Sequence, residues 1–246
     1  MEEFKQHEVS WTPEKSRRFW NSYSSNKAME GFYFSKQVGA SILKQVKSKI
    51  KLKGEILDFG CGPGFFLQEL AKNKIKSDGL DFSEESLKLA ASRLGDSPYL
   101  GELILAKGIP TPVRNSSYDS VFFIETLEHI LDEDLPNNLK ELNRALKIGG
   151  HLIITVPNEE NLDKSKVCCP DCGAVFHRVQ HVRTFSAQSI SELFKQYGFR
   201  AVFCKAVMFR SPSALNFFRN LVQFFYGKFY KARYPHLLLI AEKISN

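Results

Sequence analysis

Residues 55–64 read Glu55-Ile56-Leu57-Asp58-Phe59-Gly60-Cys61-Gly62-Pro63-Gly64. A short apolar run meets an acid and then three glycines at alternate positions. Phe65-Phe66-Leu67-Gln68-Glu69-Leu70-Ala71 follows with a helical pattern. A strand, a glycine turn and a helix in that order make a nucleotide-binding corner. Glycine lets the turn close tightly and lets a ligand approach the backbone. The helix start then presents unpaired N–H groups to that ligand.

The glycine spacing separates two cofactor classes. A dinucleotide fingerprint is G-x-G-x-x-G. Counting from Gly60 and Gly62, the third position is Phe65; counting from Gly62 and Gly64, it is Leu67. The form present is an acid followed by G-x-G-x-G. With its flanks, Ile56 to Gly64 resembles the first motif of the class I S-adenosylmethionine-dependent methyltransferases. That resemblance implies a Rossmann-like α/β fold, a doubly wound and mostly parallel seven-stranded sheet. It also implies S-adenosylmethionine as cofactor. Asp58, Gly60, Cys61, Gly62 and Gly64 would then surround its methionine end.

Ile75 to Leu80 reads as the next strand and ends at Asp81-Phe82-Ser83. Asp81 stands where an acid accepts hydrogen bonds from both ribose hydroxyls of an adenosine cofactor. A carboxylate suits this because it only accepts and can take two donors. Phe82 joins Asp81 in the expected cofactor set. The alternative is that Asp81 or Ser83 caps the helix beginning at Glu84. Relatives carry an acid near the adenine in the third unit; here Leu105-Ala106-Lys107-Gly108-Ile109-Pro110 has none, so the adenine contact stays unassigned.

Tyr118-Asp119-Ser120-Val121-Phe122-Phe123-Ile124 reads as a buried central strand. Glu125, Glu128 and His129 follow at its carboxyl end, the edge where open α/β sheets bind ligands. His129 is the candidate base or acceptor-orienting group, because imidazole titrates near neutrality. Glu125 is expected near the cofactor's amino group. The Glu-x-x-Glu-His form resembles the small-molecule branch that includes the ubiquinone-biosynthesis O-methyltransferases. The Asn/Asp-Pro-Pro-aromatic motif of enzymes acting on exocyclic amines of nucleic-acid bases is not present in Ile124 to Leu127. Leu139, Leu142, Ala145 and Leu146 mark a helix, expected to close at Gly149-Gly150, with a fifth strand over His151 to Val156.

Residues 163–183 form a Cys/His insert. Cys169-Pro170-Asp171-Cys172-Gly173 is a Cys-x2-Cys knuckle, and His177 and His181 follow. Those four ligands suit tetrahedral zinc. A closed four-ligand site would be structural; an open three-ligand site could polarise a hydroxyl. In many relatives a His placed like His181, before a pair such as Phe185-Ser186, faces the substrate pocket without metal. The spacing is too short for a ββα nucleic-acid finger, and nucleic acid is disfavoured as a partner.

The chain has 246 residues with 43% hydrophobic and 25% charged content, which suits one α/β domain with a full core. Residues 1–50 are expected as a helical cap. Thr12-Pro13-Glu14 starts one helix, and Phe34, Val38, Ile42 and Val46 repeat every four residues in another. Trp11, Trp20, Tyr23 and Tyr33 are candidates to line a substrate pocket. Residues 51–246 form the cofactor-binding domain. Its last helix begins at Ser186, and its last strands run over Phe199 to Val207 and His236 to Ala241. Between them, residues 208–235 hold nine aromatics, five Lys/Arg and no acid. That composition fits a cover over a lipophilic acceptor or peripheral contact with an anionic membrane, and equally a helix packed on the domain. No apolar run reaches about 18 residues, so no span is expected. The polar start and the five cysteines point to a reducing cytoplasm. The net charge of +7 leaves RNA or protein open as an alternative acceptor. A non-catalytic zinc-containing adaptor on the same fold is the other alternative.

Overall fold

The computed structural model describes residues 4–210 and 235–245. Residues 211–234, most of the aromatic and basic stretch, lie outside the described residues, and so do the cover and membrane-contact readings that rest on them.

Two helices open the chain: α1 (Pro13–Ser25), capped by the Thr12 hydroxyl, and α2 (Phe34–Lys47), with a 3₁₀ segment Lys27–Phe32 between them. The repeat seen in the sequence buries Val38, Ile42, Leu43 and Val46 against the sheet. Then β2 (Ile56–Phe59), α3 (Phe65–Lys72), β3 (Ser77–Asp81), α4 (Glu84–Leu94) and β4 (Leu100–Leu105) form two parallel β-α-β units. The order continues with β5 (Tyr118–Ile124), α5 (Leu135–Ala145), β6 (Leu146–Pro157), α6 (Ala187–Lys195), β9 (Phe199–Val207) and β10 (His236–Lys243). The seven strands lie in the order β4-β3-β2-β5-β6-β10-β9. All neighbours are parallel except that β10 runs antiparallel to both β6 and β9.

Both faces of the sheet are covered, which is why β5 is apolar from Val121 to Ile124. Alternate side chains go to opposite layers. Val121 and Phe123 join Leu139 and Leu142 of α5 and Ile190 and Phe194 of α6. Phe122 and Ile124 join α2 and Phe66 and Leu70 of α3. Phe122 is fully buried, so cutting it to Ala costs about 3–5 kcal/mol.

One boundary differs from the sequence pattern. Helix α5 ends at Ala145 rather than at Gly149-Gly150, and Leu146 turns to extended backbone (φ −79°, ψ 144°). Leu146 is fully buried opposite Tyr118, so pairing with β5 captures the chain before the glycines are reached. Gly149 (φ 79°) serves an irregularity inside β6, where the register with β5 shifts.

The insert is a hairpin of β7 (Lys166–Cys168) and β8 (Ala174–His177). The N-terminal β1 (His7–Glu8) adds to β8 in parallel. The knuckle forms its turn: Cys169 N donates to Ala174 O (2.8 Å) and Gly173 N to Cys169 O (3.0 Å).

Candidate active site

A cleft of about 1410 Å³ opens at the carboxyl ends of the parallel strands. Its cofactor half follows from the glycine turn. Gly60 N and Cys61 N donate to Leu80 O (2.7 and 3.0 Å), locking the end of β2 to β3. Gly64 (φ 79°) starts α3, and a Cβ there would stand 2.8 Å from Ala90 Cβ of α4. That close approach is what glycine permits.

Asp81 holds the turn from the other side. Its Oδ2 accepts from Gly62 N and its Oδ1 from Ser83 N, both at 2.8 Å. The cap of α4 is Ser83, whose hydroxyl accepts from Ser86 N (3.2 Å). Asp81 is therefore not the cap, and each oxygen keeps a further lone pair at the cleft. Burial pushes its pKa up to about 6, against the pull of its N–H donors. Asp58 is 2% exposed, and its Oδ2 has no hydrogen-bond partner among the described residues. Burial, with Asp81 nearby, raises its pKa to about 8. Glu125 ends β5 in the left-handed region (φ 45°), which is costly for a residue with a side chain and clusters at functional sites. Its Oε1 is buried without a partner. Its Oε2 lies 3.3 Å from His236 Nδ1, and the pair does not form a hydrogen bond.

These features fit S-adenosylmethionine. Two buried acceptors without donors suit an ammonium, and Asp81 can take two hydroxyls. At Gly62 a Cβ would meet nothing closer than 3.8 Å, which leaves room beside the turn. Phe82 is 43% exposed at the rim, and Ala106, Lys107 and Gly108 border the same cleft.

The other half is built from distant segments. His129 ends a 3₁₀ turn, Leu127–His129, directly after β5. Its ring lies 4.7 Å from the Trp20 ring of α1 and 4.8 Å from that of His181. Burial, then the His181 ring beside it, lowers its pKa to about 3, so it is a neutral imidazole. Glu128 is 1% exposed, and both its carboxylate oxygens lack a hydrogen-bond partner. Burial first, and Glu125 second, raise its pKa well above the carboxylate range. Glu160 follows β6; its oxygens contact His177 Nε2 (3.3 Å) and His181 Nδ1. The bonds from these rings hold the Glu160 carboxyl well below its usual pKa, although burial acts the other way. Gln180, fully buried, accepts from Trp20 Nε1 (2.7 Å) and donates to His129 O (3.0 Å). It ties the helical cap to the carboxyl end of β5.

The structure divides the four zinc ligands expected from the sequence. Cys169 and Cys172 sit together on the hairpin turn, and hydrogen bonds there lower the Cys169 pKa. His177 and His181 lie past the other end of β8, at the cleft. Four residues of extended strand span roughly 13 Å, too far for one ion. Among the described residues the clusters with metal-ligand spacing are Glu128–His129–His181 and Glu160–His177–His181, with no cysteine. His181 lines the cleft. Trp20, Tyr23 and Tyr33 line the cleft; Trp11 packs on Phe19 and Phe176 instead. Glu160, Gln180 and His236 escaped the sequence reading. Glu160 had a signal, an acid just past a parallel strand's carboxyl end; Gln180 and His236 had none.

A methyltransferase-domain family model matches residues 32–202. The chain belongs to this family. It is a class I S-adenosylmethionine-dependent methyltransferase enzyme with the Rossmann-like fold. The uncharacterized methyltransferase YdaC of Bacillus subtilis is 34% identical over 115 residues, 45% of this chain and 61% of that protein. The O-methyltransferase resE of Aspergillus sclerotiorum is 26% identical over 192 residues, 75% of this chain and 67% of that protein. The ubiquinone/menaquinone C-methyltransferase UbiE of Geotalea daltonii is 30% identical over 113 residues, 44% of this chain and 47% of that protein. The matched part thus spans about half to two thirds of these relatives. Among solved structures, the methyltransferase bound to the Trm112 activator of Haloferax volcanii superposes with a TM-score of 0.64 at 19% identity. That match covers 92% of this chain and 98% of the other. The Haemonchus contortus phosphoethanolamine N-methyltransferase 2 gives 0.63 at 20% identity, over 96% of this chain and 60% of the other. At these identities the structures speak for the fold alone. Among the described residues, no helix is long and apolar enough to cross a membrane.

Proposed function

We propose that the enzyme methylates an oxygen of a small-molecule acceptor held under the N-terminal helices. The observation that carries this reading is the division of one cleft. One half is a backbone turn with acids for the cofactor. The other is an aromatic and imidazole pocket, closed by Trp20 and Tyr23 of α1. Relatives named as O-methyltransferases support the choice of atom; UbiE, a C-methyltransferase, shares the fold-defining region.

When bound, S-adenosylmethionine supplies an electrophilic methyl on a sulfonium. The residues of this chain hold and orient. Asp81 takes the ribose hydroxyls, and Asp58 and Glu125 receive the methionine ammonium. The backbone of Gly60, Cys61, Gly62 and Gly64 lies along the methionine end, with Phe82 beside the adenosine. His129, neutral and with Nε2 free of a proton donor, accepts the acceptor's hydroxyl hydrogen and aligns its oxygen. The helices of residues 1–50 shield the pocket, with α1 anchored by Ser24 on Ser86 (2.9 Å) and Asn21 on Ser83 (2.7 Å). A lipophilic phenol fits the aromatic lining.

The test is calorimetric titration with S-adenosylhomocysteine, then incubation with S-adenosylmethionine and a panel of phenols, amines and activated carbon acids. Methylated phenol read by mass spectrometry is the expected result. Transfer only to nitrogen or carbon would replace the acceptor assignment and leave the cofactor site standing.

A further inference from the structure

The hydrogen bonds around the insert end of the cleft decide which ring nitrogens carry protons. A carbonyl oxygen only accepts, so His129 Nδ1, at 3.4 Å from Gln180 O, carries its hydrogen. His181 Nδ1 contacts the acceptor-only carboxylate of Glu160 and carries its own. In the neutral form of each ring this leaves Nε2 as the lone pair open to a ligand. His181 Nε2 lies 3.9 Å and His129 Nε2 4.0 Å from Glu128 Oε1. Glu128 is buried, with neither oxygen partnered. Glu128 Oε1 and a nitrogen of each ring therefore stand within 4.8 Å of one another, and no hydrogen-bond partner among the described residues reaches either Glu128 oxygen. A buried carboxyl group without a partner is costly, and a cation held by Glu128 and the two rings relieves that cost.

His177 is excluded as a ligand by the same reasoning. Its Nδ1 accepts from Val179 N (3.4 Å) and His181 N (3.1 Å), so its hydrogen is on Nε2, facing Glu160 Oε1 at 3.3 Å. Glu125 is turned away toward His236.

We propose that Glu128, His129 and His181 bind a divalent transition-metal ion, with Glu160 the carboxylate that orients His181. Two imidazoles and one carboxylate suit zinc and its neighbours rather than magnesium or calcium, which take oxygen ligands. A ligating histidine whose other nitrogen bonds a carboxylate is the usual outer arrangement of such sites. Ligands at roughly 2.0–2.2 Å from zinc stand roughly 3.3–3.6 Å apart in a tetrahedron, so small side-chain rotations close the site. His129 and His181 line the cleft while Glu128 lies behind them, which puts the ion in the wall of the acceptor half. The insert thus contributes a histidine to the cleft, while the cysteine knuckle stays outside the site. The site rests on the reading of this half as the acceptor pocket: with an ion bound, the His129 Nε2 lone pair would go to the metal, whose open position would meet the acceptor's hydroxyl in place of the imidazole.

Cobalt titration of chelator-treated full-length protein tests this. The expected result is one Co²⁺ per chain, with d–d bands and no thiolate charge-transfer band. Glu128→Gln and His181→Asn should each abolish that signal. Glu160→Gln should weaken binding by about 10–100-fold. The Cys169→Ser/Cys172→Ser double variant should leave the spectrum unchanged. S-adenosylhomocysteine titration and near-UV circular dichroism show whether each variant is folded. No cobalt uptake by folded wild type overturns the proposal. So does a spectrum that survives both Glu128→Gln and His181→Asn, or one carried by thiolates and lost with the two cysteines.

Discussion

The two halves of the cleft are made in opposite ways. The cofactor half comes almost entirely from residues 58–64 and 81–83, adjacent strand ends joined by backbone bonds such as Gly60 N to Leu80 O. The acceptor half draws Trp20 from α1, Glu128 and His129 from just past β5, Glu160 from just past β6, and Gln180 and His181 from the part of the insert that follows β8. Main chain and a few glycines suffice for a ligand whose shape never changes. A side-chain pocket assembled from several segments can be respecified piece by piece without disturbing the sheet.

That contrast predicts separable losses. The largest belongs to the acceptor half: His129→Ala should lower kcat by on the order of 10²-fold and leave S-adenosylhomocysteine affinity at the wild-type value. Single-turnover kinetics beside calorimetry would read both, and a parallel loss of cofactor affinity would dissolve the division. Next, Asp81→Ala should weaken S-adenosylhomocysteine binding by ~1–3 kcal/mol, the cost of leaving polar partners unpaired, and should also loosen the turn at Gly62.

Smaller effects concern how the halves are supported. Trp20→Phe removes the bond to Gln180 and should cost about 0.5–1.5 kcal/mol of stability. Acceptor KM should rise while cofactor affinity holds. Asp58 gives the subtlest signal. Its folded carboxyl keeps a proton up to about pH 8, whereas an unfolded chain releases it near ~4. Between those values the folded state binds more protons, so this group lowers stability as pH rises, with the full penalty above about 8. Thermal melts of cofactor-free Asp58→Asn should therefore exceed wild type at pH 8 and converge with it near ~4. A constant difference across that range would mean Asp58 does not titrate there.

The cofactor half was legible because its signals are local. Spacing within Gly60-Cys61-Gly62-Pro63-Gly64, an acid one β-α-β unit later and an apolar β5 all lie along a few residues. In the acceptor half the sequence singled out only residues whose type carries its own chemistry, such as His129 and His181, and both line the cleft. Gln180 is an ordinary amide in the sequence; only its burial between Trp20 and His129 makes it a tie. The Cys169-x2-Cys172 spacing drew His177 and His181 into one ligand set, because four soft or borderline ligands lay close in sequence. Extended strand β8 then carried the histidines away from the knuckle. The glycine pair at 149–150 misled for a related reason. A glycine marks a special backbone conformation, and the packing of Leu146 against β5 decided that it belongs to a strand.

By itself the sequence determined the sheet, the cofactor class and the edge at which chemistry occurs, since hydrophobic period and glycine spacing act over neighbouring residues. Only the tertiary structure decided which acids and imidazoles meet. The tautomer of His129 and the surroundings of Glu128 depend on groups up to 53 residues away along the chain, such as Gln180 and His181. Burial, not spacing, sets the energy of a polar atom.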